Sequence, residues 1–160
     1  MRITIAAIGR LKEAYWQDSV REYQKRMSRY AKFEIVEFPD EKAPEGISEK
    51  EAAEILFKEG ERLLHFLEGN DGYVIALQIQ GKRMDSESFA EFLRLQFLKG
   101  ERHVIFLIGG SLGLSEEVLR RADLSLSFSD FTFPHQLMRV ILCEQICRAM
   151  RIMRGEPYHK

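Results

Sequence analysis

The sequence predicts an α/β protein with a mostly parallel sheet and helices on both faces. Five short apolar runs alternate with segments whose apolar residues recur at helical spacing. The run His103 to Ile108 reads as one continuous apolar strand, as in a parallel sheet covered on both sides. Glycines, prolines and capping residues punctuate the junctions. At 160 residues the chain is expected to form one domain, 1–160, with no linker and no internal repeat.

Arg2 to Ile8 reads as a buried strand closed by Gly9. The helix that follows carries Trp16, Val20, Tyr23, Met27 and Tyr30 at steps of four and three, a core-facing stripe rather than a ligand box. Phe33 to Phe38 is the second strand. Pro39 to Ile47, charged and broken by two prolines and a glycine, is expected to be the most mobile segment. Ser48 and Glu51 form a capping box that opens a helix reaching about Leu67. After the break Gly69 to Gly72, Tyr73 to Ile79 is the third strand and Gly81 turns the chain. Asp85 and Ser86 start a helix bearing Phe89, Phe92, Leu93 and Phe97, which stops at Gly100. The fourth strand, His103 to Ile108, leads through Gly109–Gly113 to a short helix capped at Ser115, then to a fifth strand, Leu124 to Phe128. Pro134 suits the first turn of a last helix, where its missing N–H costs nothing. That helix runs to about Arg154, with Gly155 as its stop. It is apolar nearly all round, so it needs cover from its own chain or from a second subunit.

A net charge of -1 argues against a protein coated in positive charge but not against local basic patches. Residues 1–32 hold eight Lys/Arg against three acids, and residues 134–160 hold five against two. Residues 40–62 hold eight acids against four bases. A partner with a phosphate backbone would therefore meet the two ends of the chain, although solvated helix faces would give the same pattern. Cys143 and Cys147 lie at i, i+4 spacing in a helical pattern, which suits core packing in a reducing compartment. A zinc site would need more ligands than His135, the only nearby candidate, so no metal is expected. The opening residues run straight into a strand pattern without a signal peptide, and no apolar run approaches membrane-spanning length. A cytoplasmic protein with no membrane partner is expected.

Ligands of open α/β sheets bind beyond the carboxyl ends of strands. Three such ends are unusual here: Leu77 to Lys82, Ile108 to Gly113, and Phe128 to His135. Glycines let a ligand approach the backbone, and the third loop alternates aromatic and polar residues, which suits a flat heterocycle. Gly109–Gly113 lacks both dinucleotide-fingerprint and P-loop spacing, and a plain tight turn remains open. No Ser-His-Asp order or paired carboxylates stand out. The ending, with Arg148, Arg151, Arg154, Tyr158, His159 and Lys160, is rich in groups that bind phosphates and stack on bases; a solvated tail would look similar.

The runs Phe106–Gly113, Leu126–Gln136 and Arg139–Arg148 and the ending Pro157–Lys160 resemble the ribosomal large-subunit pseudouridine N3-methyltransferase family, RlmH/YbeA. The resemblance covers the whole chain, including the opening Ile5 to Lys12. It implies a SPOUT fold with a trefoil knot near the C-terminus, a homodimer, S-adenosylmethionine as cofactor, and a pseudouridine of large-subunit rRNA in the assembled ribosome as substrate. DNA is not an implied partner. Carried over by position, the cofactor contacts are Leu77, Gly109, neighbouring Gly110, and the loop Phe128, Ser129, Asp130, Phe131, Thr132 and Phe133. The family often has an acid where this chain has Gln78, so a side-chain bond to cofactor there is not implied.

Methyl transfer to N3 needs alignment and a way to lose the N3 proton. His159 is the candidate base, since histidine titrates near working pH, and Tyr158 can stack on or hydrogen-bond the uracil. Arg154 and Arg148 can hold phosphate or a developing anion. Glu144, one turn before Arg148, can serve with it or simply pair with it. His135 is expected to hydrogen-bond locally. Two other readings stay open: a SPOUT methyltransferase acting on transfer RNA or another ribosomal site, and a non-catalytic ribosome-associated or nucleotide-binding module that holds the cofactor without transferring its methyl group.

Overall fold

The structure is a computed structural model, and it describes residues 1–157. The elements are β1 (Arg2–Ile8), α1 (Ala14–Met27), β2 (Lys32–Phe38), α2 (Glu49–Glu68), β3 (Tyr73–Arg83), α3 (Ser86–Leu98), β4 (His103–Ile108), α4 (Glu116–Arg121), β5 (Leu124–Ser127) and α5 (His135–Met153). The strands form one sheet in the order β2-β1-β4-β3-β5, with every adjacent pair parallel.

Pleat alternation places helices on both faces. Ile3, Ile5 and Ala7 of β1 and Val104, Phe106 and Ile108 of β4 face one core, shared with residues of α1, α3 and α5. Ala6 and Ile8, with Ile105 and Leu107, face the other, under α2 and α4. The central strands β1 and β4 are therefore apolar on both faces, as expected, apart from the buried Thr4 and His103, which hydrogen-bond each other at 2.8 Å. The Ser48–Glu51 capping box forms, as the spacing predicts, and Asp85 and Ser115 cap α3 and α4.

β2 begins one residue early, at Lys32, and α1 ends at Met27, short of Tyr30; three further boundaries, nearer the carboxyl ends of the sheet, also differ from expectation. β3 continues to Arg83 because the chain leaves the ladder after Leu77 and rejoins it at Lys82, both paired with Leu126. Residues 78–81 bulge out between them, and a Cβ on Gly81 would lie 2.6 Å from the backbone carbon of Leu126. β5 stops at Ser127, one residue short of Phe128. Pro134 occupies the N-cap position, in extended conformation, and its carbonyl accepts from Met138 N–H at 3.0 Å. Gly155 follows α5 with φ of 67°, as its role as a stop requires.

The chain covers much of α5 itself. Leu142, Cys143, Ile146, Cys147, Ala149 and Met150 are buried, while Leu137, Val140, Ile141, Ile152 and Met153 are half-buried. The Pro39–Ile47 loop is pinned at its start, where Arg62 donates to Pro39 O at 2.8 Å and Glu41 N–H donates to Glu59 Oε1 at 3.0 Å. Among the described residues, no helix is long and apolar enough to cross a membrane.

Candidate functional site

The carboxyl ends of β3, β4 and β5 open into a cavity of about 760 Å³, walled by residues 77–80, 108–114, 126, 128–129 and 131–135 with Met138. This volume falls in the range of small-molecule sites. Its floor is glycine backbone. A Cβ on Gly109 would lie 2.3 Å from Gly113 O, and one on Gly110 would lie 2.9 Å from Glu59 Oε2. The turn is closed by Gly113 N–H donating to Gly110 O at 3.1 Å, with Gly113 at φ of 84°. Only glycine leaves room there for both the turn and a ligand above it.

The third wall is held from within. Ser129 Oγ accepts from Phe131 N–H at 3.0 Å, and Ser127 Oγ donates to Ser129 O at 3.3 Å. Phe128 meets Phe89 edge to face, and Phe89 meets Phe106 likewise, so the loop is wedged into the core. Ile79, Leu112 and Phe131 form an exposed apolar rim, with Phe131 at 78% exposure.

Of the residues singled out for cofactor, Leu77, Gly109, Gly110, Phe128, Ser129, Phe131, Thr132 and Phe133 all line the cavity. Asp130 does not; its carboxylate turns outward to an ion pair with Arg83 at the surface. Gln78 is in the wall. The first turn of α5 also lines the cavity: His135 ends the third strand-end segment singled out in the sequence but was not named as a cofactor contact, and Met138 was not singled out at all. The signal was present: a histidine directly after the proline that opens a helix at the carboxyl end of a parallel sheet.

His135 corrects an expectation. It has no hydrogen-bond partner among the described residues. It packs instead on Gly9, where an added Cβ would meet its Nε2 at 3.4 Å. Its neighbour Arg139, fully buried, spends its guanidinium on Ile8 O (2.9 Å), Gly9 O (2.7 Å) and Glu37 Oε1 (2.7 Å). Burial, then the Arg139 charge, lowers the His135 pKa, which favours the neutral form of this cavity-lining imidazole. Under Gly110 lies Glu59, only 3% exposed, whose Oε2 has no partner among the described residues. Burial raises its pKa.

The candidate catalytic residues that the structure describes, Glu144, Arg148 and Arg154, lie elsewhere. Arg148 and Glu144 pair at 2.7 Å in the middle of α5. Arg154, at its C-cap, lies over the Tyr30 ring, 4.7 Å from the centroid. Helical rise puts Arg148 about 15 Å and Arg154 about 24 Å beyond Met138 along the axis. Tyr158 and His159 lie outside the described residues. Within one chain, then, Arg148 and Arg154 are not brought to the cavity.

A family model described as "Predicted SPOUT methyltransferase" matches residues 1–159. Among solved structures, a methylase family protein from Haemophilus influenzae Rd KW20 superposes with a TM-score of 0.55 at 14% identity, covering 96% of this chain and 66% of that one. A methyltransferase from Legionella pneumophila, solved with the cofactor SAM bound, gives 0.51 at 13%, with coverages of 96% and 66%. The tRNA (m1G37) methyltransferase from Aquifex aeolicus gives 0.54 at 13%, with coverages of 100% and 75%. The chain thus spans just under two thirds of the first two and three quarters of the third. At these identities the likeness is one of fold.

Proposed function

The chain belongs to the SPOUT methyltransferase family, and we propose that it transfers the methyl group of S-adenosylmethionine to N3 of a pseudouridine in large-subunit rRNA within the assembled ribosome. The observation that carries the cofactor assignment is the glycine-floored cavity at the ends of β3, β4 and β5. Its apolar walls suit a flat heterocycle, and its loop backbone offers the polar contacts. Leu77, Gly109, Gly110, Phe128, Ser129 and Phe131 to Phe133 hold the donor in this reading, with Asp130 bracing the loop from outside through Arg83. The rRNA assignment rests on the family resemblance of the loop, the last helix and the ending.

The donor is a sulfonium, so its methyl carbon is already electrophilic and the protein mainly aligns the reactants. Bound in the cavity, S-adenosylmethionine would supply that methyl group, the C–S electron pair leaving on sulfur as the N3 lone pair takes the carbon. The N3 proton leaves to His159, with Tyr158 orienting the uracil. Arg154 and Arg148 stabilise the anion that develops on the ring, and Glu144 holds Arg148 in place.

Arg148 and Arg154 stand far down α5 from their own cavity, and Tyr158 and His159 follow Arg154 within five residues. A homodimer resolves this: one subunit's cavity works with the far end of its partner's α5. The knot belongs to the same reading. It is supported by the 78–81 bulge, whose Gly81 lies against the backbone of β5 at the start of the segment that would thread.

The test is incubation with tritiated S-adenosylmethionine and ribosomes from a strain lacking the activity, with the label mapped by nuclease digestion and mass spectrometry. Label on one large-subunit pseudouridine is expected. Label on transfer RNA instead, or cofactor binding without any transfer, would replace this substrate with another or with a binding role.

A further inference from the structure

Residues 1–32 and 134–160 carry the chain's two basic excesses, and the fold brings them to one place. Where α1 and α5 both end there is a cleft of about 530 Å³, lined by Lys25, Arg26, Arg29, Tyr30, Arg151 and Glu156, with Glu22 at its edge. It lies at the opposite end of α5 from the first turn that lines the cofactor cavity.

The acids of this cleft are already matched. Glu22 pairs with Arg26 at 2.9 Å. Glu156 accepts from the Tyr30 hydroxyl at 2.7 Å and pairs with Arg151 at 3.1 Å. Arg154 lies over the Tyr30 ring, 4.7 Å from its centroid, which makes a stacked aromatic and guanidinium wall. Lys25 and Arg29 are both exposed and have no ion-pair partner among the described residues. Cations at a helix end can simply offset its dipole. Each C-terminus presents roughly half a negative charge, so two ends account for about one unit. Four lining cations and Arg154 above them, against two carboxylates, leave positive charge over after that offset. Arg29 also lies beyond the last turn of α1, where the dipole no longer explains it.

We propose that this cleft is a second RNA-binding subsite, in which Lys25 and Arg29 hold a phosphodiester of the substrate strand away from the reacting base. The proposal rests on the RNA reading above and adds where the backbone is held. Two cations against a stacked Tyr30–Arg154 wall suit a phosphate with a neighbouring sugar or base. In the dimer the cleft adjoins the residues that reach the partner's cavity, so a phosphate fixed here sets the register of the strand without touching the methyl donor.

The test is equilibrium binding of the full chain to large ribosomal subunits and to deproteinised large-subunit RNA across a salt series, with methyl transfer measured in parallel. The variants are Lys25→Ala/Arg29→Ala and a charge-matched control, Lys58→Ala/Lys99→Ala, exposed on α2 and just past α3. The cleft variant should bind both RNAs about tenfold more weakly, and the slope of log affinity against log salt should flatten by about 0.7–0.9 for one lost phosphate contact. Cofactor affinity, the rate at saturating ribosome and the melting temperature should stay at wild-type values. Binding no weaker than the control overturns the cleft while leaving the methyltransferase reading intact. Loss on assembled subunits alone also overturns it, since the cleft would then meet ribosomal protein. Wild-type protein that methylates no RNA, yet binds it through Lys25 and Arg29, sinks the reaction and keeps the cleft.

Discussion

Gly109 has no room for a methyl group, because the atoms in the way are backbone rather than a flexible side chain. Gly109→Ala must push the Gly113 peptide out of the turn. It should abolish cofactor binding in calorimetry and cost about 1–3 kcal/mol of stability in urea titration. His103 makes a second prediction at this scale. Its ring bridges Thr4 Oγ1 at 2.8 Å and Asp71 O at 3.0 Å, and burial lowers its pKa, as it does for His135. A histidine whose folded pKa is lowered stabilises fully above its ordinary value of 6.5, and that contribution drains away as pH falls below it. Glu59 runs the other way, since its raised pKa favours the fold as pH falls. The comparison is therefore between wild type and His103→Gln. Between pH 7.5 and pH 5.5, wild type should lose more of its urea midpoint than the variant does. Equal losses would show that His103 titrates alike folded and unfolded.

Among the elements, α5 joins the two ends of the molecule. Its Arg139 is fully buried and ties the ends of β1 and β2 to the helix through Ile8 O, Gly9 O and Glu37. Arg139→Met would leave the Glu37 carboxylate without its buried cation and two carbonyls without donors. A loss of about 3–5 kcal/mol is expected in denaturant unfolding, with Glu37→Gln/Arg139→Met recovering part of it. Nothing local announced this role: in the sequence Arg139 is one more cation on an apolar helix. The Ser48–Glu51 box of α2, by contrast, was plain, because both partners lie within a single turn. The extension of β3 to Arg83 was not, because its second stretch is held by β5, more than forty residues away.

At the scale of the whole molecule, the separation of the cavity from Arg148 and Arg154 sets a test of shared active sites. If one subunit's cavity works with the far end of its partner's α5, as proposed, a Gly109→Ala chain lacks the first half of the site and an Arg154→Ala chain lacks the second. Neither should methylate ribosomes alone. Mixed after reversible dissociation, half the dimers would be hybrids with one intact site each, so about a quarter of wild-type activity should return. No recovery would place both halves of the site in one subunit.

The alternation of strands and helices, the two-sided burial of β1 and β4, the capping residues and the three strand ends where the cavity opens were all legible in the order of residues. Those features depend on the period of a pleat or a helical turn, so the residues that specify them are neighbours in the chain. Its likeness to a known family also named eight residues that now line one cavity. The tertiary structure alone decided that Asp130 faces Arg83 and not the cavity, that His135 stands without a hydrogen-bond partner among the described residues, and that Lys25 and Arg29 meet Arg151 and Arg154 at one cleft. It also decided that the cavity and the far arginines sit at opposite ends of α5. Each of these depends on groups thirty to more than a hundred residues apart, or on the direction in which a loop side chain leaves the backbone. Local periodicity carries no record of either, because it is set by neighbours while these are set by packing.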